Sequence, residues 1–262
     1  MMLEKYLKVS LFLFVIISLV FTSTSCGNKS ENDDKKDNQD MFGMFKSKEA
    51  LKRKEKNEKF LEEKGIKINY SLPLIETEEE TKLRSTKEIA TRVSVLATTN
   101  MVAFSVMTGE EAISYLKKYD LWEAVTPDEK EFLFNPTDER KNQESWKCED
   151  IWVLMWALKI VDDLGTPNKL CDLNDIPFEK YPIGKDKDPN EFINSVKDLR
   201  SKSEILDAND LYYRLDWACV DARINGEEVI EMISGLVYER HYALNWLINY
   251  GNQEWDDVST DT

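Results

Sequence analysis

The chain's single histidine sits in the stretch "VYERHYALNWL", where Glu239, Arg240 and His241 are consecutive and Asn245 follows His241 by one helical turn. An imidazole titrates near neutral pH and can serve as a general base when a carboxylate orients it. A second set lies in "SEILDANDLYYRLDWACVDARI". At about 100° per residue, Asp207, Asp210, Arg214 and Asp221 fall within about 60° of one another. Clustered carboxylates of this kind can hold a hard divalent cation. Glu88 and Arg92 form an i, i+4 pair in "STKEIATRVSVLA", and Glu149 opens the apolar stretch "WKCEDIWVLMWALKIV". The chain ends in "EWDDVSTDT", which adds Trp255, Asp256 and Asp257. No HExxH, paired-histidine, GxSxG or P-loop pattern accompanies these groups, so the sequence names no catalytic residue, metal or cofactor.

Helices must position these groups. The charged stripe Asp207, Asp210, Arg214, Asp221 is framed by Leu206, Tyr213, Trp217, Val220 and Ile224 on one side and by Leu211 and Ala218 on the other. A solvated stripe is not usually bordered by apolar residues on both sides, so these charges are expected to be part-buried, with Asn209, Asp216 and Arg223 toward solvent. Arg240 projects from the apolar face formed by Leu236, Ala243, Leu244 and Leu247. A buried guanidinium requires carboxylates, and the stripe Asp207, Asp210, Asp221 has surplus negative charge to supply them. The expectation is one interior polar network fed by several helices. Trp255 docks on the core beside it, and Asp256, Asp257 or Asp261 reaches Arg214, Arg92 or Arg84.

Helix-start signatures recur at Thr77, Ser85, Thr108, Thr126, Asp188 and Ser201, each followed three residues later by Glu. In these the hydroxyl or carboxylate and the glutamate satisfy orphan amides reciprocally. Pro127 and Pro189 occupy first helical positions, where a missing N–H costs nothing. Strand signals are nearly absent, apart from room for one short β-ribbon around Asn225-Gly226. The fold class is therefore mostly α: a single globular multi-helix domain. Helices are predicted at about 48–64, 77–104 with a break near Ser85, 110–122, 127–134, 146–161, 189–199, 203–224 and 236–249. The 146–161 segment is apolar almost all round and belongs at the centre of a core. The tryptophans are read as core.

With 50 acidic against 35 basic residues the net charge is −15, which disfavours nucleic acid as a partner. Residues 1–25 read as a signal peptide. Lys5 and Lys8 precede the apolar run Val9 to Phe21, too short to span a bilayer comfortably, and "TSTSC" resembles a lipoprotein cleavage site with Cys26 as the lipidated residue. The polar stretch 26–46 reads as a disordered tether and 47–262 as the helical domain. The expected location is the bacterial cell envelope, lipid-anchored to a membrane and facing away from the cytoplasm. Cys148, Cys171 and Cys219 then remain, which allows at most one internal disulfide; their spacing matches no zinc motif, and they read as small buried side chains.

"SEILDANDLYYRLDWA", "VYERHYALNWL" and "WDDVSTDT" resemble the signatures of the bacterial family catalogued as domain of unknown function 4272, and "WKCEDIWVLMWALKIVDDL" is similar to its apolar central helix. The resemblance covers about 48–262. Lys147 stands where the family often has arginine and Lys159 where glycine is common. The family's name assigns no activity, so the resemblance implies domain limits and not chemistry. The expected function is a membrane-tethered binding or scaffold module that takes a protein partner. The alternative is a metal- or ligand-dependent enzyme built on the Asp-rich and His241 cluster.

Overall fold

A computed structural model describes residues 33–227, 229 and 231–262, with side chains from Lys48 onward. Residues 1–25, read above as a signal peptide, and Cys26 lie outside the described residues. The chain divides into two units at Met41/Phe42. The described part of the first, 33–41, is helical. The second unit is a helical domain. No strand occurs among the described residues, and no helix there is long and apolar enough to cross a membrane.

Among the described residues nine α-helices follow in order: α1 Asp33–Glu63, α2 Thr86–Ala103, α3 Gly109–Lys118, α4 Pro127–Phe134, α5 Asp138–Ser145, α6 Cys148–Ala157, α7 Pro189–Ser195, α8 Lys202–Asn225 and α9 Ser234–Leu247. α9 packs between α8 and α6, and α6 packs on α2, which in turn meets α3, α5 and α7. The apolar helix α6 is central, as its composition requires: Ile151, Val153, Leu154, Met155 and Ala157 have no exposed surface.

Reciprocal capping boxes open α2, α3, α4 and α8 at Ser85, Thr108, Thr126 and Ser201, and Asp188 caps α7 ahead of Pro189. Thr77 makes the same bonds with Glu80, but the chain there forms one turn and then has no regular structure up to Ser85. α2 therefore starts nine residues later than the predicted segment.

The Asn225-Gly226 pair is not a hairpin. Gly226 adopts φ 68° and closes α8. Glu227 N–H returns to the Ala222 carbonyl at 2.8 Å and Gly226 N–H to that of Arg223, the paired bonds of a Schellman ending. α6 ends the same way, with Lys159 at φ 59° in the left-handed position and Ile160 N–H bonded to Met155 O at 2.9 Å. A family glycine at 159 fits this conformation better than any crossing of helices.

Candidate functional site

The expected single network is instead a set of separate, locally closed pairs. Arg240 does not meet the aspartate stripe. Its Nε donates to Glu149 Oε2 at 2.8 Å, its Nη2 lies 2.8 Å from the same oxygen, and its Nη1 donates to the Leu164 carbonyl at 2.5 Å and the Tyr212 hydroxyl at 2.8 Å. The side chains of Arg240 and Glu149 are 1% and 0% exposed. Glu149 is the nearest carboxylate because α6, not α8, faces the middle of α9 on this side. Its other oxygen accepts the Cys171 N–H at 2.8 Å.

The stripe on α8 faces α1 instead. Arg214 is bidentate on Asp210, at 2.9 and 2.7 Å, and Glu58 of α1 stands 3.5 Å away. Asn57 donates to the second oxygen of Asp210. Asp207 takes Arg53 and Lys56 from the same helix, and Asp221 takes Lys67. Asp210 and Arg214 are thus sealed, whereas Asp207 and Asp221 are part-exposed.

Glu88 is not the partner of Arg92. It is exposed and completes the Ser85 capping box, which holds its carboxyl below the ordinary carboxylate range. Arg92 donates to Glu129 at 3.0 Å and to the Ala124 carbonyl, and its guanidinium lies over the Trp255 ring at 5.2 Å. Glu129 also accepts the Thr126 N–H, so one carboxylate both caps α4 and anchors α2.

Glu239 accepts from Lys147 at 2.8 Å, and the fully buried Asp150 lies 3.4 Å from the same ammonium. Burial holds the Asp150 carboxyl well above the ordinary carboxylate range, and the Glu239 carboxylate beside it adds to the shift.

The carboxy-terminal segment docks as expected. Trp255 is 5% exposed and meets Tyr242 and Trp246 edge to face, with ring centroids 5.3 and 5.2 Å away. The Tyr242 hydroxyl donates to the Trp255 carbonyl. The acids of the segment behave otherwise than expected. Asp256 accepts the Asp128 N–H, Asp257 is exposed, and Asp261 accepts from the Ser259 hydroxyl. Arg84 is held by the Gln253 carbonyl at 2.7 Å, with Glu254 3.6 Å away.

The His241 group opens to a cavity. Asn209 and Asp216, expected toward solvent, are buried on the α8 face that meets α9. A face drawn through apolar residues alone rotates the helix away from them; Ile224, counted as apolar face, is 75% exposed. His241 Nδ1 lies 3.0 Å from Asp216 Oδ2. Asn209 donates to Asn245 at 2.7 Å, and Asn245 donates to the Ser259 carbonyl at 2.8 Å. His241, Asn209 and Asn245 form the floor of a cavity of about 350 Å³, walled by Tyr213, Tyr250 and the loop at Leu74. The Asp–His pair can orient an imidazole toward a bound group, and the phenols and amides can hydrogen-bond it. Glu76, Asp261 and Thr262 complete the polar part of the lining among the described residues.

Cys148, Glu149 and Cys171 bring two sulfurs and an oxygen within 4.8 Å of one another. Both Glu149 oxygens are already committed, to Arg240 and to Cys171 N–H, so the trio does not fit a metal.

The model of a family described as "Domain of unknown function (DUF4272)" matches residues 53–258. No curated protein and no solved structure matches.

Proposed function

We propose a binding role for this chain, which belongs to the DUF4272 family: a lipid-tethered module of the cell envelope that captures a small hydrogen-bonding group in the His241 cavity. The observation that carries this reading is the division of the polar interior. The arginine–carboxylate pairs at Arg240 and Arg214 are sealed, as helix-orienting pairs are, and Arg92, which borders an open hollow beside Trp255, is already held by Glu129 and the Ala124 carbonyl. The His241, Asn209 and Asn245 group instead lines a cavity together with Tyr213 and Tyr250. A concave site with a few convergent polar groups is what ligand recognition uses. The basic start, apolar run and "TSTSC" around Cys26 support the tether.

The test is mass spectrometry of small molecules released by heating protein purified from its native cells. The wild type should carry a molecule that Tyr213→Phe/Tyr250→Phe loses, since that variant keeps both rings and removes two hydroxyls. An empty wild-type site would count against binding. Fractionation of Cys26→Ser cells tests the tether: the variant should leave the membrane pellet.

The Asp216–His241 contact favours a second reading, in which the imidazole acts as a general base on the captured molecule. Under it, wild-type protein converts the retained molecule and His241→Asn does not.

A further inference from the structure

We propose that Cys148 and Cys171 are a redox-active dithiol that closes into an intramolecular disulfide by exchange with a low-molecular-weight disulfide. The two come from different elements: Cys148 begins α6 and Cys171 lies in the loop beyond the Lys159 turn. Their sulfurs are within 4.8 Å, and the Cys171 thiol donates to the Cys148 carbonyl at 3.4 Å. Cys171 is fastened by its N–H to Glu149, the residue after Cys148, so the approach is fixed by backbone as well as by side chain. Both side chains are half-buried and within reach of a small reagent, whereas Cys219 is buried on α8.

The pair is also electronically asymmetric. The Cys171 thiol beside it lowers the pKa of Cys148, whose place at a helix start further favours the thiolate. The neighbouring Cys148 side chain, with burial, raises that of Cys171. Cys148 is therefore the attacking sulfur. Its thiolate attacks the small disulfide, forms a mixed disulfide and expels one small thiolate. Cys171 then loses its proton and attacks the Cys148 sulfur, expelling the second. Two protein thiols and one small disulfide become one protein disulfide and two small thiols. The closed loop contains Leu164, whose carbonyl holds Arg240, so oxidation would fasten the segment that completes the buried Arg240 site.

The test equilibrates the full chain with mixtures of oxidised and reduced glutathione, alkylates free thiols, and maps peptides without reduction. The expected map joins the Cys148 and Cys171 peptides in oxidising mixtures and separates them with dithiothreitol, with Cys219 alkylated throughout once the chain is unfolded. Cys171→Ser should stop at a glutathione adduct on Cys148. The proposal is overturned if wild-type Cys148 and Cys171 both remain alkylated in the most oxidising mixture, if Cys148 accumulates only as the glutathione adduct, or if Cys219 is the partner. The decisive map is that of the wild type and does not depend on any variant folding.

Discussion

Arg240 on α9 and Glu149 on α6 meet at 2.8 Å with both side chains closed to solvent, 91 residues apart in the chain. Two further acceptors, Leu164 O and Tyr212 Oη, fill the remaining guanidinium valence on one side. A fully partnered pair of this kind fixes the angle and register of two helices, and its net contribution is smaller than the cost of breaking it.

Arg240→Met should therefore destabilise the domain by about 3–5 kcal/mol, because Glu149 is left charged and unpaired. Arg240→Ala should cost more, since the apolar volume is also lost. Arg240→Met/Glu149→Gln should recover part of the loss. Urea midpoints of the wild type and the three variants check this; a double variant no more stable than Arg240→Met would deny the coupling.

Trp255→Ala should cost about 3–5 kcal/mol, as a buried aromatic does. The indole fills the angle between Tyr242 and Trp246 and supports Arg92 from below. Removing residues 255–262 should cost at least as much. A denaturation midpoint that does not move would show the segment to be undocked.

Asp150 supplies a pH dependence. Its folded-state pKa lies well above the ordinary value of 3.8. Stability from this group is therefore complete below that value and declines as pH rises through the folded pKa, because the unfolded chain releases the proton more readily. Asp150→Asn keeps the shape without the proton. Melting temperatures followed from about pH 4 upward should fall more steeply in the wild type than in this variant. Parallel profiles would mean that Asp150 is ionised in the fold.

Lys159→Gly should stabilise the domain by about 1 kcal/mol: relief of the left-handed backbone is worth about 1–2 kcal/mol, and the added freedom of the unfolded chain offsets about 0.4–1. Thermal unfolding reads this directly, and a loss of stability would mean that the lysine side chain contributes more than its conformation costs.

Lys159 also shows why helix ends were harder to read than helix starts. Ser85, Thr108, Thr126 and Ser201 announce their helices with a reciprocal capping chemistry, which Thr77 and Glu80 also use for a single turn. The stops use a left-handed residue, and where that residue is Gly226 the signal is available, though it was open to a hairpin reading. Where it is Ser105, Asp120 or Lys159, nothing in the residue type announces it. α5 was invisible for a different reason: "DERKNQES" has no apolar stripe and buries no residue. The site divided along similar lines. That Arg240 would need a buried acid followed from its apolar surroundings, and Trp255 from its size. That the acid is Glu149 depends on which helix faces α9, and no spacing in the chain states it. Asp216 and Asn209 were assigned to solvent because a periodicity built on hydrophobicity treats every buried polar residue as an outward one.

The docking of Trp255 makes the surface of α9 depend on a segment only a few residues downstream: until residues 255–258 are in place, the rings of Tyr242 and Trp246 lack their cover. A protease cut between Leu247 and Trp255 should therefore loosen the domain toward further cleavage, which limited proteolysis followed over time would show.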